Sequence, residues 1–173
     1  MSNVNVFSSL KVGKLTLANR VFMAPMTRNR AGAGNVPTDL MVEYYRQRAG
    51  AGLIITEATP ISADAQGYPN TPGIYSDEQV AGWKRVTDAV HASGGRIYVQ
   101  LWHVGRISHP YFRPGNTTPV APSAIPARGQ GFVPGHGMVP YVTPRALEAH
   151  EIEAIVDDFR AAAVNAVRAG FDG

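Results

Sequence analysis

At 173 residues the chain is long enough for one domain with a buried core. Its apolar fraction of 45%, charged fraction of 17% and net charge of +3, with the signs interspersed, are those of a globular protein in water and lack the basic run that nucleic-acid binding asks for. The absence of cysteine excludes disulfides, thiolate metal sites and a cysteine nucleophile; Met1-Ser2-Asn3-Val4-Asn5 has neither a charged nor an apolar leader region, and no run approaches the roughly 20 apolar residues of a membrane helix, so a cytoplasmic protein is expected.

Leu10-Lys11-Val12 and Leu15-Thr16-Leu17 flank Gly13-Lys14, which reads as a tight hairpin with Gly at a positive-φ position. Val21-Phe22-Met23-Ala24-Pro25 is a continuous apolar run, the pattern of a strand buried on both faces, and Pro25 stops it by removing a ladder donor. Thr38 is the expected cap of a first helix with Asp39 in its first turn, Leu40 and Met41 lying four residues before Tyr44 and Tyr45. Gly50 and Gly52 are read as its stop. Leu53-Ile54-Ile55-Thr56 is the second buried strand, ending in Glu57-Ala58-Thr59-Pro60.

After a loop over 61–75, Ser76 and Gln79 have the spacing of a capping box, and Val80, Trp83, Val86 and Val90 mark the buried side of a helix ending at Gly94-Gly95. Ile97 to Trp102 is the third strand, with Gln100, Trp102 and His103 at its end. The β-α-β-α-β order implies a parallel sheet covered by helices. Residues 103–146 then hold eight of the 13 prolines and six glycines; so long a connection, leaving the end of a strand, is read as a lid or wall over an active site. A last helix begins near Glu148 with Ile152, Ile155, Val156, Phe159, Ala162, Ala163, Ala166 and Val167 at helical spacing, Gly170 as its C-cap and Phe171-Asp172-Gly173 as the loop into a fourth strand. Three parallel strands do not close a sheet, so the expectation is the first part of something larger.

The strand ends compare as a set. Ala24-Pro25-Met26-Thr27-Arg28, Tyr44-Tyr45-Arg46-Gln47-Arg48-Ala49, Gly52-Leu53-Ile54-Ile55-Thr56-Glu57-Ala58, Gln100-Leu101-Trp102-His103-Val104-Gly105-Arg106 and Ala169-Gly170-Phe171-Asp172 together resemble the flavin-binding ene-reductases of the Old Yellow Enzyme family, in order and over essentially the whole chain. The resemblance implies an α/β fold, the N-terminal part of a (β/α)8 TIM barrel (about three βα units plus the hairpin) spanning residues 1–173. It implies bound FMN, NADPH as reductant, and hydride transfer from flavin N5 to the β-carbon of an activated alkene such as an α,β-unsaturated carbonyl or nitroalkene. By the same resemblance Pro25, Met26 and Thr27 lie against the flavin with Thr27 at its N5/O4 edge. Ala58 contacts the ring through its backbone, Gln100 hydrogen-bonds the pyrimidine edge, and Tyr68 and Trp102 wall the substrate pocket. Thr27, where another branch of the family has Cys, points to the branch of the yeast and enterobacterial enzymes.

Each residue has a plainer reading. Thr27 could cap a loop, Gln100 could be a buried amide, and Trp102 and Tyr68 could simply pack. Glu57 is better read as structural than as a proton-transfer group, and His103, with no second ligand at a regular spacing, as a hydrogen-bonded structural residue rather than a metal ligand. Arg28, Arg30, Arg46 and Arg48 are read as solvated or ion-paired. The family's carbonyl-binding His-Asn or His-His pair and its proton-donating Tyr fall beyond Gly173. The chain alone is therefore expected to be inactive and to need the remaining barrel, in the same polypeptide or as a complementary C-terminal barrel chain. The competing function is a non-catalytic half-barrel that binds flavin or nothing.

Overall fold

The computed structural model describes residues 4–173; residues 1–3, part of the stretch read above for a leader, lie outside it. Among the described residues nine strands and three α-helices follow one another: β1 (Leu10–Val12), β2 (Leu15–Leu17), β3 (Phe22–Met23), α1 (Asp39–Arg46), β4 (Leu53–Pro60), α2 (Asp77–Ala92), β5 (Ile97–Trp102), β6 (Val120–Ala121), β7 (Gln130–Val133), β8 (Gly137–Pro140), β9 (Arg145–Ala146) and α3 (Ala149–Arg168). The β1–β2 hairpin turns at Gly13, whose φ of +56° is the left-handed conformation the sequence asks for.

The centre is a three-stranded parallel sheet in the order β3-β4-β5, with α1 and α2 as the crossovers. The core lies between this sheet and the helices. Trp83, Tyr45, Met41, Val86 and Val90 are fully buried against Ile54 and Ile97, and the Trp83 indole N–H donates to the Gly73 carbonyl at 3.0 Å. On α1, Met41 and Tyr45 face inward while Leu40 is exposed. The Ser76–Gln79 capping box forms as expected, the Gln79 side-chain oxygen accepting from the Ser76 amide at 3.1 Å.

Four expectations need correction. The first parallel strand is not buried on both faces: β3 is two residues long, and Val21 and Phe22 are 48% and 42% exposed, because β4 is the sole strand paired with it among the described residues. Thr38 occupies the cap position of α1, but its hydroxyl donates to the Arg30 carbonyl rather than capping the helix. Gly52 is not a helix cap; a Cβ there would lie 2.1 Å from the Asn19 carbonyl oxygen, so the residue permits two backbones to meet. Finally, α3 buries only Ala162 and Ala166, with Ile155 packed at the margin of the core; Ile152, Val156, Phe159 and Val167 are exposed.

The expected loop 103–146 has structure of its own. It contains the antiparallel hairpin β7–β8, turning at Gly135 with φ +79°, and a short parallel pair of β6 with β9. At the chain's other edge the Val99 amide donates to the Gly173 carbonyl and the Asp172 amide to the Ile97 carbonyl, the pairing of a further parallel strand against β5. No helix among the described residues is long and apolar enough to cross a membrane.

Candidate functional site at the strand ends

Where three parallel strands end side by side, the groups after each strand converge on one surface. Beyond β3, Pro25, Met26 and Thr27 are exposed, and the Thr27 hydroxyl makes no hydrogen bond to the described residues. One residue on, the Arg28 amide donates to Glu57 Oε2 at 3.0 Å, which ties this segment to β4.

β4 runs on to Pro60, four residues beyond the apolar run that announced it, and contains a feature the sequence did not disclose. Ile54 pairs with Ile97 and Ile55 with Tyr98, yet Ala58, not Glu57, pairs with Gln100. One extra residue is accommodated at Thr56-Glu57 as a β-bulge. The Thr56 hydroxyl fills the gap in the ladder by accepting from the Gln100 amide at 3.1 Å, while donating to the Glu57 carbonyl at 3.0 Å. The bulge brings the small, buried Ala58 level with Gln100. The Gln100 side-chain amide makes no hydrogen bond within the described residues and is half-buried. An amide is both donor and acceptor, so this one retains its full capacity for a ligand.

Two residues later Trp102 pairs with Pro60, and its ring stacks on Tyr68 with centroids 5.6 Å apart and planes 18° from parallel. The pair makes an aromatic wall beside Gln100. Next in the chain, His103 accepts from the Gly105 amide through Nδ1 at 3.1 Å. Burial, and then the Arg113 charge, hold its pKa below the usual histidine value. It is therefore a neutral, internally bonded imidazole, and no cluster of potential metal ligands occurs among the described residues.

Glu57 is buried, with its carboxyl pushed above the ordinary 4.5 chiefly by that burial, against the stabilising donations of Arg28 and Tyr45. Tyr45 serves both ends of the residue: its hydroxyl donates to Oε1 at 3.1 Å and accepts from the Glu57 amide at 3.0 Å. The sequence carried one signal for this network. A tyrosine on the buried face of α1 has a hydroxyl that needs a partner in the core.

A cavity of about 670 Å³ lies elsewhere, between the 103–146 segment and the start of α3. Four of its charged groups pair with one another, Arg113 with Asp64 at 3.0 Å and Arg145 with Glu151 at 2.8 Å. The strand ends are the better candidate, because unengaged polar groups on adjacent parallel strands, the Thr27 hydroxyl and the Gln100 side-chain amide, flank Ala58 there. Thr27, Ala58 and Gln100 are thus gathered at adjacent strand ends, and Tyr68 with Trp102 beside them. The structural reading of Glu57 agrees with its burial and bonds, while its partner Tyr45 went unread in the sequence.

Comparison with known proteins gives one consistent picture. The profile of the NADH:flavin oxidoreductase / NADH oxidase family matches residues 5–173. The chain is 51% identical over 172 residues to chanoclavine-I aldehyde reductase fgaOx3 of Penicillium roqueforti (strain FM164), covering 97% of this chain and 44% of that relative. It is 45% identical over 171 residues to 12-oxophytodienoate reductase 1 of Oryza sativa subsp. japonica, covering 98% and 43%. Among solved structures it superposes on morphinone reductase with a TM-score of 0.95 at 55% identity, covering 99% of this chain and 47% of that one. It also superposes on the old yellow enzyme homologue from Zymomonas mobilis with a TM-score of 0.93 at 48% identity, covering 98% and 47%. The chain spans about half the length of the relatives it matches.

Proposed function

The chain belongs to the NADH:flavin oxidoreductase / NADH oxidase family, the Old Yellow Enzyme family, as the N-terminal part of its TIM barrel, and we propose that, completed by the rest of the barrel, it reduces activated C=C bonds with FMN as bound cofactor and NADPH as reductant. The observation that carries this reading is the pair of unengaged polar groups, the Thr27 hydroxyl and the Gln100 amide, at parallel strand ends on either side of small Ala58. That set fits an isoalloxazine. Gln100 offers a donor and an acceptor to a pyrimidine edge, which carries both. Ala58 has no bulk to hold a planar ring off its backbone, and Pro25 and Met26 give an exposed apolar surface for its flank.

The cofactor, when bound, supplies hydride-transfer chemistry; the protein's part is to orient it and tune its electronics. Thr27 would hold the flavin by a hydrogen bond from its hydroxyl, which would favour the more electron-rich, reduced form. Tyr68 and Trp102 form a stacked wall that orients a planar, conjugated substrate over the ring and keeps water from that side. The 103–146 segment, with its β7–β8 hairpin, closes the mouth of the site. The carbonyl-binding and proton-donating residues come from the remainder of the barrel, in the same polypeptide or in a complementary chain. A cytoplasmic location is part of the same proposal.

The test uses the protein together with the rest of its barrel. FMN is expected to bind with quenching of its fluorescence, and NADPH to be consumed when an enone or nitroalkene is added. Thr27→Ala is expected to lower the flavin potential. Failure to bind FMN, or a bound flavin that NADPH reduces and no activated alkene reoxidises, would overturn the proposal.

A further inference from the structure

We propose that Glu57 is a positioning residue, which places Thr27 at the end of β3 by gripping the amide of the next residue, Arg28. The inference rests on the flavin role proposed for Thr27.

The segment that carries Thr27 is held by side chains rather than by a ladder: the Thr38 hydroxyl donates to the Arg30 carbonyl at 2.9 Å, the Arg30 guanidinium to the Arg28 and Asn29 carbonyls, and the Arg28 guanidinium lies 5.1 Å from the Tyr44 ring centre. β3 pairs with β4 only through Phe22 with Leu53 and Met23 with Ile54. From Pro25 to Arg30 no backbone group pairs with another backbone group among the described residues, and Pro25, Met26 and Thr27 are exposed. A stretch without ladder bonds or burial has no intrinsic preference for one conformation. None of those side-chain contacts reaches the sheet, whereas the Arg28 amide donates to Glu57 Oε2 on β4 at 3.0 Å.

Glu57 is built to be a fixed anchor. It sits in the Thr56–Glu57 bulge, where the extra residue re-aims its side chain away from Gln100. Tyr45, buried and in contact with Trp83 at a ring separation of 6.0 Å, bonds both the Glu57 backbone amide and Oε1, so the residue is held at its backbone and at one carboxyl oxygen while Oε2 meets Arg28. Burying a carboxyl is costly, and an apolar side chain would pack this core more cheaply. What the carboxyl provides, and an apolar group would not, is an acceptor one residue from Thr27. The same bulge sets Ala58 level with Gln100, so one irregularity in β4 aligns groups on all three strands.

The experiment compares Glu57→Leu, Glu57→Gln, Tyr45→Phe and Thr27→Ala in the flavin-loaded protein by two readouts, amide hydrogen exchange across residues 24–30 and flavin reduction potential. Glu57→Leu is expected to speed exchange at Arg28 by about tenfold, the loss of one buried hydrogen bond, and to shift the potential in the same direction as Thr27→Ala. Glu57→Gln keeps an acceptor for Arg28 and is expected to restore most of both. Tyr45→Phe removes the bond that fixes the Glu57 carboxyl and is expected to lower the melting temperature and to shift the potential in the same direction as Glu57→Leu, but by less. Should Glu57→Leu not fold, the Gln and Phe variants carry the comparison: an unshifted potential with unchanged Arg28 exchange in Tyr45→Phe would overturn the proposal. So would unchanged Arg28 exchange in Glu57→Leu, or potentials that merely track melting temperature across the set. If wild-type protein binds no FMN, the functional reading fails, and the exchange arm, run without cofactor, still decides whether Glu57 holds this segment.

Discussion

Among the described residues a hydroxyl without a partner, that of Thr27, and an engaged carboxyl, that of Glu57, stand at the ends of neighbouring strands, and the contrast separates groups with capacity left for a ligand from those spent inside the protein. Thr27 and Gln100 could be picked out in the sequence because each follows an apolar run with a polar group. Glu57 follows one too, and nothing in the linear pattern says that it turns inward. That depends on the bulge and on Tyr45, twelve residues earlier. Tyr45→Phe should therefore cost about 1–3 kcal/mol of stability, since it leaves the Glu57 amide without its acceptor in a buried site; urea unfolding measures it. Burial raises the Glu57 carboxyl above its ordinary 4.5, so the folded chain holds a proton that the unfolded chain has released. Its contribution is whole below the unfolded value and is lost as pH rises through the folded one. Glu57→Gln should flatten that fall in a series of unfolding curves taken upward from about pH 4, and an unaltered slope would remove Glu57 as its source.

Elements were legible where their signals are local. The β1–β2 hairpin, the Ser76 cap, the inward face of α2 and the extent of β5 all follow from turn chemistry and periodicity within a few residues. Ser76→Ala should lower stability by about 1 kcal/mol, the usual worth of such a cap, read as a lowered urea midpoint with unchanged slope. Boundaries failed where a neighbouring element intervened. β4 outlasts its apolar run because β5 continues to pair with it through Trp102. Gly52 looked like a helix stop, yet its spacing from Asn19 is a contact between segments distant in the chain. Gly52→Ala should destabilise the fold by about 3 kcal/mol, as overpacking against backbone does; a melting temperature within a degree or so of wild type would show that the Asn19 loop gives way easily.

The whole molecule presents apolar surface on both flanks, Val21, Phe22 and Met26 around β3 and Ile152, Val156, Phe159 and Val167 on α3. Relatives about twice as long share its fold over the matched part. Produced by itself, the 173-residue chain should bind a hydrophobic dye and self-associate, and adding the remaining barrel should abolish both, as dye fluorescence and sedimentation will register. The apolar stripe of α3 was legible as sequence, but periodicity cannot say which part meets the core; here Ala162 and Ala166 do, and the larger residues around them stay exposed. The sequence by itself determined the βα order, the parallel sheet, the turn and cap residues and the polar groups that end each strand, because each depends on neighbours within a turn or two of chain. Only the tertiary structure decided the bulge in β4, the inward turn of Glu57, the pairing of Ala58 with Gln100 and the stacking of Tyr68 on Trp102. Those depend on register between strands and on side chains meeting across tens of residues, which no local pattern encodes.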